Sequence, residues 1–136
     1  MGTRSLVVFQ DEQEQDICVV YRQFDGSPKS RGQQLLDFVR ERPLVFGIGD
    51  YNAKEANGID DLAAQWIAWE KTTQTEGEHN IGNVYMMPCN TREVDEEYIY
   101  FVKEDMENVR FVVTCFDVYN RVYLSREGMD KWQTRT

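Results

Sequence analysis

Helical periodicity in this 136-residue chain is confined to one central block, with runs of β-forming residues on either side. That segregation constrains the fold more than any single motif. Strands that alternate with helices build parallel βαβ units, whereas separate blocks of strands and helices build an antiparallel sheet with helices laid against it. Residues 6–9 (LVVF) and 17–21 (ICVVY) are apolar on both parities, the pattern of strands covered on two faces. The polar residues 10–16 between them read as the tip of a hairpin.

Asp25-Gly26-Ser27-Pro28 is a turn signal leading into the helical block. Ser30, with Gln33 three residues on, reads as a capping box, and Ser27 with Pro28 offers a competing start one turn earlier. Leu35, Leu36, Phe38 and Val39 form the apolar stripe, and Pro43 ends the helix. Residues 44–46 read as a short buried strand or turn. The sequence Gly47-Ile48-Gly49-Asp50 reads as a tight turn, and residues 51–58 are polar and turn-like. A second helix is expected over 60–71, where Ile59, Leu62, Ala63, Trp66, Ile67 and Trp69 recur at threes and fours. Asp60 and Asp61 at its start and Lys71 at its end complement the helix dipole.

Residues 72–82, which include His79, read as a polar loop. Strands follow at 83–87, 97–103, 109–117 and 121–125, read as an antiparallel meander. The tail from Glu127 reads as loose unless Trp132 pins it. The order ββαα then ββββ predicts an α+β fold. One domain spans 1–136, with a mainly antiparallel sheet (N-terminal hairpin plus C-terminal meander) and two helices packed on one face.

Charge narrows the function. There are 24 acidic and 15 basic residues, a net charge of −9, which argues against a nucleic-acid binder. The acid concentrates in 93–97 and 104–107. These runs read as a solvated loop rim, or more sharply as a patch that repels nucleic acid or mimics its charge. No apolar run approaches ~18 residues, so no membrane span is expected. Residues 6–9 are too short for a signal peptide, which makes a cytoplasmic setting the expectation. Cys18, Cys89 and Cys115 are widely spaced with no CxxC pair, and read as reduced thiols. With His79 the only histidine, no metal site and no cofactor are expected.

Residues 21–32 concentrate the chemistry. They lead from a strand into a helix whose first amides point outward and favour an anion. Lys29 and Arg31 oppose the helix dipole there unless something negative comes to them. Arg4 and Arg22 add charge from the hairpin, and Asp25 is placed to hold an arginine or a ligand hydroxyl. Gly26 makes the turn, and Gly32 leaves the backbone open to close approach. Arg4, Arg22, Asp25, Gly26, Lys29, Arg31 and Gly32 are therefore the candidate cradle for a phosphate or carboxylate. No P-loop occurs, and the GxG at 47–49 lacks the third glycine of a dinucleotide fingerprint. Tyr98, Tyr100, Tyr119 and Tyr123 are candidates for a stacking surface on an open sheet face.

Gly2-Thr3-Arg4-Ser5 and the turn Tyr21-Arg22-Gln23-Phe24-Asp25-Gly26-Ser27-Pro28 together resemble a family of small uncharacterised proteins encoded by bacteriophages and bacteria. Members share an N-terminal TRS and a Y-x-x-[FWY]-D-G-x-P turn. The resemblance covers about the first third of the chain. It implies origin rather than activity and carries over no catalytic residues. Three functions follow as expectations. The first is a non-enzymatic binding protein for a small anionic, nucleotide-like ligand, or for a host protein if the phage origin holds. The second is an acidic protein that contacts or inhibits another protein through its C-terminal half. The third is a metal-dependent phosphoester hydrolase using Asp25. The balance leans away from an enzyme, and a homodimer is among the oligomeric states left open.

Overall fold

The computed structural model describes residues 2–47, 54–72, 83–125 and 133–134. In chain order the elements are β1 (Ser5–Gln10), β2 (Asp16–Arg22), α1 (Arg31–Arg40), β3 (Leu44–Val45), β4 (Ala56–Asn57), α2 (Gly58–Thr72), β5 (Val84–Met87), β6 (Tyr98–Asp105), β7 (Arg110–Asp117), β8 (Val122–Ser125) and β9 (Gln133–Thr134). This is the α+β arrangement expected. The expectations for Gly49, Asp50, His79 and Trp132 fall outside the described residues.

Seven strands form one sheet in the order β5-β2-β1-β6-β7-β8-β9. The hairpin pairs β1 with β2, Val7 opposite Val20 and Val8 opposite Val19. Both strands are interior, as their two-sided apolar pattern requires, and all of β1 is buried. β6, β7 and β8 form the antiparallel meander. The single parallel contact in this sheet joins β1 to β6. The expected meander is corrected at β5, which pairs antiparallel with β2 at the far edge instead of with β6. Without β5 the apolar β2 would itself be a long edge strand, a poor arrangement in water.

The helices cover one face. Leu35, Leu36, Phe38 and Val39 of α1 and Leu62, Ala63 and Trp66 of α2 share a core with Val7, Phe9, Val20, Tyr100, Val102, Phe111, Val113 and Cys115. Burial of a large side chain of this kind contributes about 1.5–3 kcal/mol. The opposite face has its own smaller core of Leu6, Val8, Val19 and Ile99, with Tyr21, Met87, Val94, Phe101, Phe116 and Val118 packed against it. The chain leaves edge strand β5 and must pass β2 and β1 to reach β6, and Val94 on that crossing seals this second core.

Four further expectations are corrected. Ser30 is the N-cap of α1, but its side chain makes no capping hydrogen bond, so the capping box is not formed. Residues 56–57, read as turn-like, form β4 and pair in parallel with β3, Leu44 opposite Ala56. The acidic run 93–97 is not simply a solvated rim. Glu96 is buried and accepts from the amides of Glu93 and Val94 at 3.0 and 2.7 Å. Tyr100 lies beneath the helices, fully buried, whereas Tyr119 and Tyr123 are exposed. Among the described residues, no helix is long and apolar enough to cross a membrane.

Candidate functional site

The junction from β2 to α1 is built as a clasp onto the N-terminus. Asp25 adopts φ +63°. The Gly26 amide donates to the Thr3 carbonyl at 2.9 Å, and the Arg31 amide to the Asp25 carbonyl at 3.0 Å. The Ser27 carbonyl accepts from Ser30 and Gly32, each at 3.0 Å, and the Ser30 carbonyl from Gln33 and Gln34 at 3.1 and 3.3 Å. The amides proposed to await an anion are thus already paired within the chain.

The two glycines serve close packing. A Cβ on Gly26 would stand 2.4 Å from Ser5 Oγ, and one on Gly32 would stand 2.2 Å from the Tyr100 hydroxyl. That hydroxyl fills the space and donates to the Gly26 carbonyl at 2.7 Å. Burial, with Cys115 alongside, drives the Tyr100 pKa far above the ordinary phenol value. Thr3 and Ser5 are thus packed against the turn at Asp25-Gly26.

The four cations do not converge. Arg22 is buried and its Nη1 is bonded to Glu70 of α2, while its Nε donates to the Phe24 carbonyl. Burial raises the Glu70 pKa against the opposing pull of Arg22 and Arg31. Arg4 faces Asp95 at 3.8 Å in an exposed contact. Arg31 bonds Gln34 at 2.6 Å and lies 5.6 Å from the centre of the Trp69 ring. Lys29 and Asp25 are exposed. Among the described residues, no group of three or more His, Cys, Asp or Glu is placed to hold a metal.

A different site emerges beside Arg31. A cavity of about 180 Å³ lies between α1 and α2, lined by Gln34, Asp37, Phe38, Glu41, Arg42 and Trp69. Phe38 and Trp69 supply its aromatic lining, and the buried Trp66 meets Phe38 edge-on at 5.1 Å and stacks on Trp69 at 5.0 Å. Arg42 closes one end. Its guanidinium sits 3.3 Å from the Phe38 ring centre, with donors spent on the Phe38 carbonyl and Gln65, each at 3.0 Å. Partial burial lowers the Arg42 pKa against the pull of Glu41. Asp37 of α1, which accepts from Gln33 Nε2 at 3.1 Å, and Glu41, the C-cap residue of α1, are exposed and one turn apart. Sequence reasoning placed Phe38 in the core and weighed Trp69 as core too. The usable signal was the pair of acids four apart on the face of α1 away from the Leu36–Val39 stripe.

Comparison of the chain with family models, curated proteins and solved structures finds no match.

Proposed function

We propose that the chain is a non-enzymatic binding domain that takes a cationic segment of another protein in the cleft between α1 and α2. The observation that carries this reading is the placement of Asp37 and Glu41 beside Trp69 in one cavity. Two like charges four apart weaken a helix by about 0.2–0.5 kcal/mol, a cost an incoming cation relieves. An ammonium or guanidinium group bridging the two carboxylates would lay its aliphatic stem along the tryptophan. The volume of about 180 Å³ suits one long side chain, and falls short of the roughly 300–1,000 Å³ of small-molecule pockets. The chain's net charge of −9 would steer a basic partner toward it.

This reading takes up the acidic partner-binding expectation and moves it from the C-terminal half to the helices. The nucleotide-like ligand loses support because Arg22 is bound to Glu70 and the turn amides are bonded internally. A phage or bacterial origin rests on the sequence motifs alone. Calorimetric titration with a lysine- and arginine-rich peptide should give salt-sensitive binding that Asp37→Asn with Glu41→Gln weakens at least about tenfold, or 1.4 kcal/mol. Equal binding by the double variant, or tighter binding of a nucleotide than of the peptide, would overturn the proposal.

A further inference from the structure

The cleft between α1 and α2 is bracketed by two arginines of the chain itself, and they are held very differently. Arg31, Gln34, Phe38 and Arg42 recur at threes and fours, which sets them along one side of α1 and its C-terminal edge. Arg42 is fixed at one end by the Phe38 carbonyl and Gln65, with its guanidinium 3.3 Å from the Phe38 ring centre. Arg31, at the other end, touches two residues that line the cleft. Its Nη1 donates to Gln34 Oε1 at 2.6 Å in an exposed bond, and its guanidinium lies 5.6 Å from the centre of the Trp69 ring. Rings attract cations out to about 6 Å, so this contact stands near the outer limit. Trp69 has only one face to offer. Trp66 stacks on the other at 5.0 Å, with the two rings 16° from parallel. Arg31 and an incoming cation therefore compete for the same face of Trp69.

We propose that the partner's cation is an arginine, and that Arg31 holds its place over Trp69 in the free protein and swings off when the partner arrives. The step rests on the reading of the cleft as a cation site. Both rings that line the cleft, Phe38 and Trp69, carry a guanidinium in the free chain. A guanidinium is planar, weakly hydrated and forked, so it stacks on tryptophan and reaches two carboxylates at once. An ammonium is a compact, strongly hydrated point charge. Asp37 and Glu41, exposed and one turn apart, offer the two carboxylates. Arg31 thus sets the preference of the cleft. A lysine gains less from Trp69, binds through the carboxylates and leaves Arg31 in place. An exposed cation–ring contact corresponds to about two- to fivefold in affinity, and that is the handicap Arg31 imposes on an incoming arginine.

The test is calorimetric titration of the whole chain with hexa-arginine and with hexalysine, equal in length and charge. Hexa-arginine should bind the wild type more tightly than hexalysine does. Arg31→Gln should tighten hexa-arginine about two- to fivefold and leave hexalysine unchanged. Lys29→Gln removes the same charge from an exposed position near the same end of α1, and should leave both affinities as in the wild type. The Arg31 side-chain Nε–H resonance, identified by its loss in Arg31→Gln, should shift on addition of hexa-arginine and hold still with hexalysine. The proposal is overturned if Arg31→Gln leaves hexa-arginine binding unchanged, or tightens both peptides equally as Lys29→Gln does. Asp37→Asn with Glu41→Gln tells the two failures apart. If that double variant weakens hexa-arginine while Arg31→Gln changes nothing, the role of Arg31 alone is wrong. If it binds hexa-arginine as the wild type does, the cleft itself is not the site.

Discussion

Among the described residues, two arginine pairs with a buried carboxylate side chain brace this sheet, one on each face, and they behave in opposite ways. Arg22 and Glu70 join β2 to α2 on the helical side, each side chain 3% exposed. Arg92 and Asp16 join the β5–β6 crossing to β2 on the other side, where Asp16 is 2% but Arg92 31% exposed. Burial dominates at Glu70 and raises its pKa. Burial would also raise Asp16, but hydrogen bonds from Arg92, Gln10 and the Asn90 amide bring it below its ordinary 3.8. The same pair chemistry thus yields a carboxylate that resists ionisation and one that favours it. What separates them is how many donors meet the carboxylate and how dry its partner is.

The largest effect should come from breaking the drier pair. Arg22→Met leaves Glu70 buried without its partner and should cost about 3–5 kcal/mol in urea unfolding. Arg22→Met with Glu70→Leu should recover most of that loss, because two apolar groups replace two charges. If the single change costs no more than a surface substitution, the pair is not buried as described. Gly32→Ala comes next. Its methyl would meet the Tyr100 hydroxyl, and a loss of about 1–3 kcal/mol is expected by thermal melting. Adding Tyr100→Phe should return part of it.

Asp16→Asn should cost about 1–3 kcal/mol at neutral pH, read in the same urea titration. Its pH dependence carries a sign. The native pKa lies below the ordinary 3.8, so the Asp16 contribution is present above that value and lost as pH falls through the lower native one. Glu70 runs the other way. Its native pKa lies above the ordinary 4.5, so its contribution is present below 4.5 and lost as pH rises through the raised value. Stability measured from pH 2 to 7 should therefore fall less steeply on the acid side in Asp16→Asn, with Glu14 and Asp105 keeping their own share, and an unchanged slope would break the comparison. The smallest effect belongs to the exposed Arg4–Asp95 contact. Arg4→Ala should stay within about 0.5 kcal/mol of the wild type.

Much of this architecture was legible in the residues. The two-sided apolar runs at 6–9 and 17–21 foretold interior strands, and the stripes at 35–39 and 59–69 foretold helices on one face. The destination of β5 was not legible, because a four-residue strand has the same period beside β2 as beside β6. Nor was the partner of Arg22. Glu70 follows Trp69 in a helix and reads as a surface acid, and only the docking of α2 brings it inside, 48 residues away in sequence. The glycines misled for a related reason. A missing side chain records that space is needed, but not what fills it, and Tyr100 fills the space at Gly32. The cleft acids escaped notice because exposed Asp37 and Glu41 gain meaning only once Trp69 arrives from α2.

The division between charges spent on structure and charges left for a partner is tested most directly by amide chemical-shift mapping. The chain is titrated with a lysine- and arginine-rich peptide. The predicted result is a set of shifts confined to residues 31–42 and around Trp69, with residues 4 and 22–30 unmoved. Shifts centred on the β2–α1 turn, or spread evenly over the acidic surface, would contradict it.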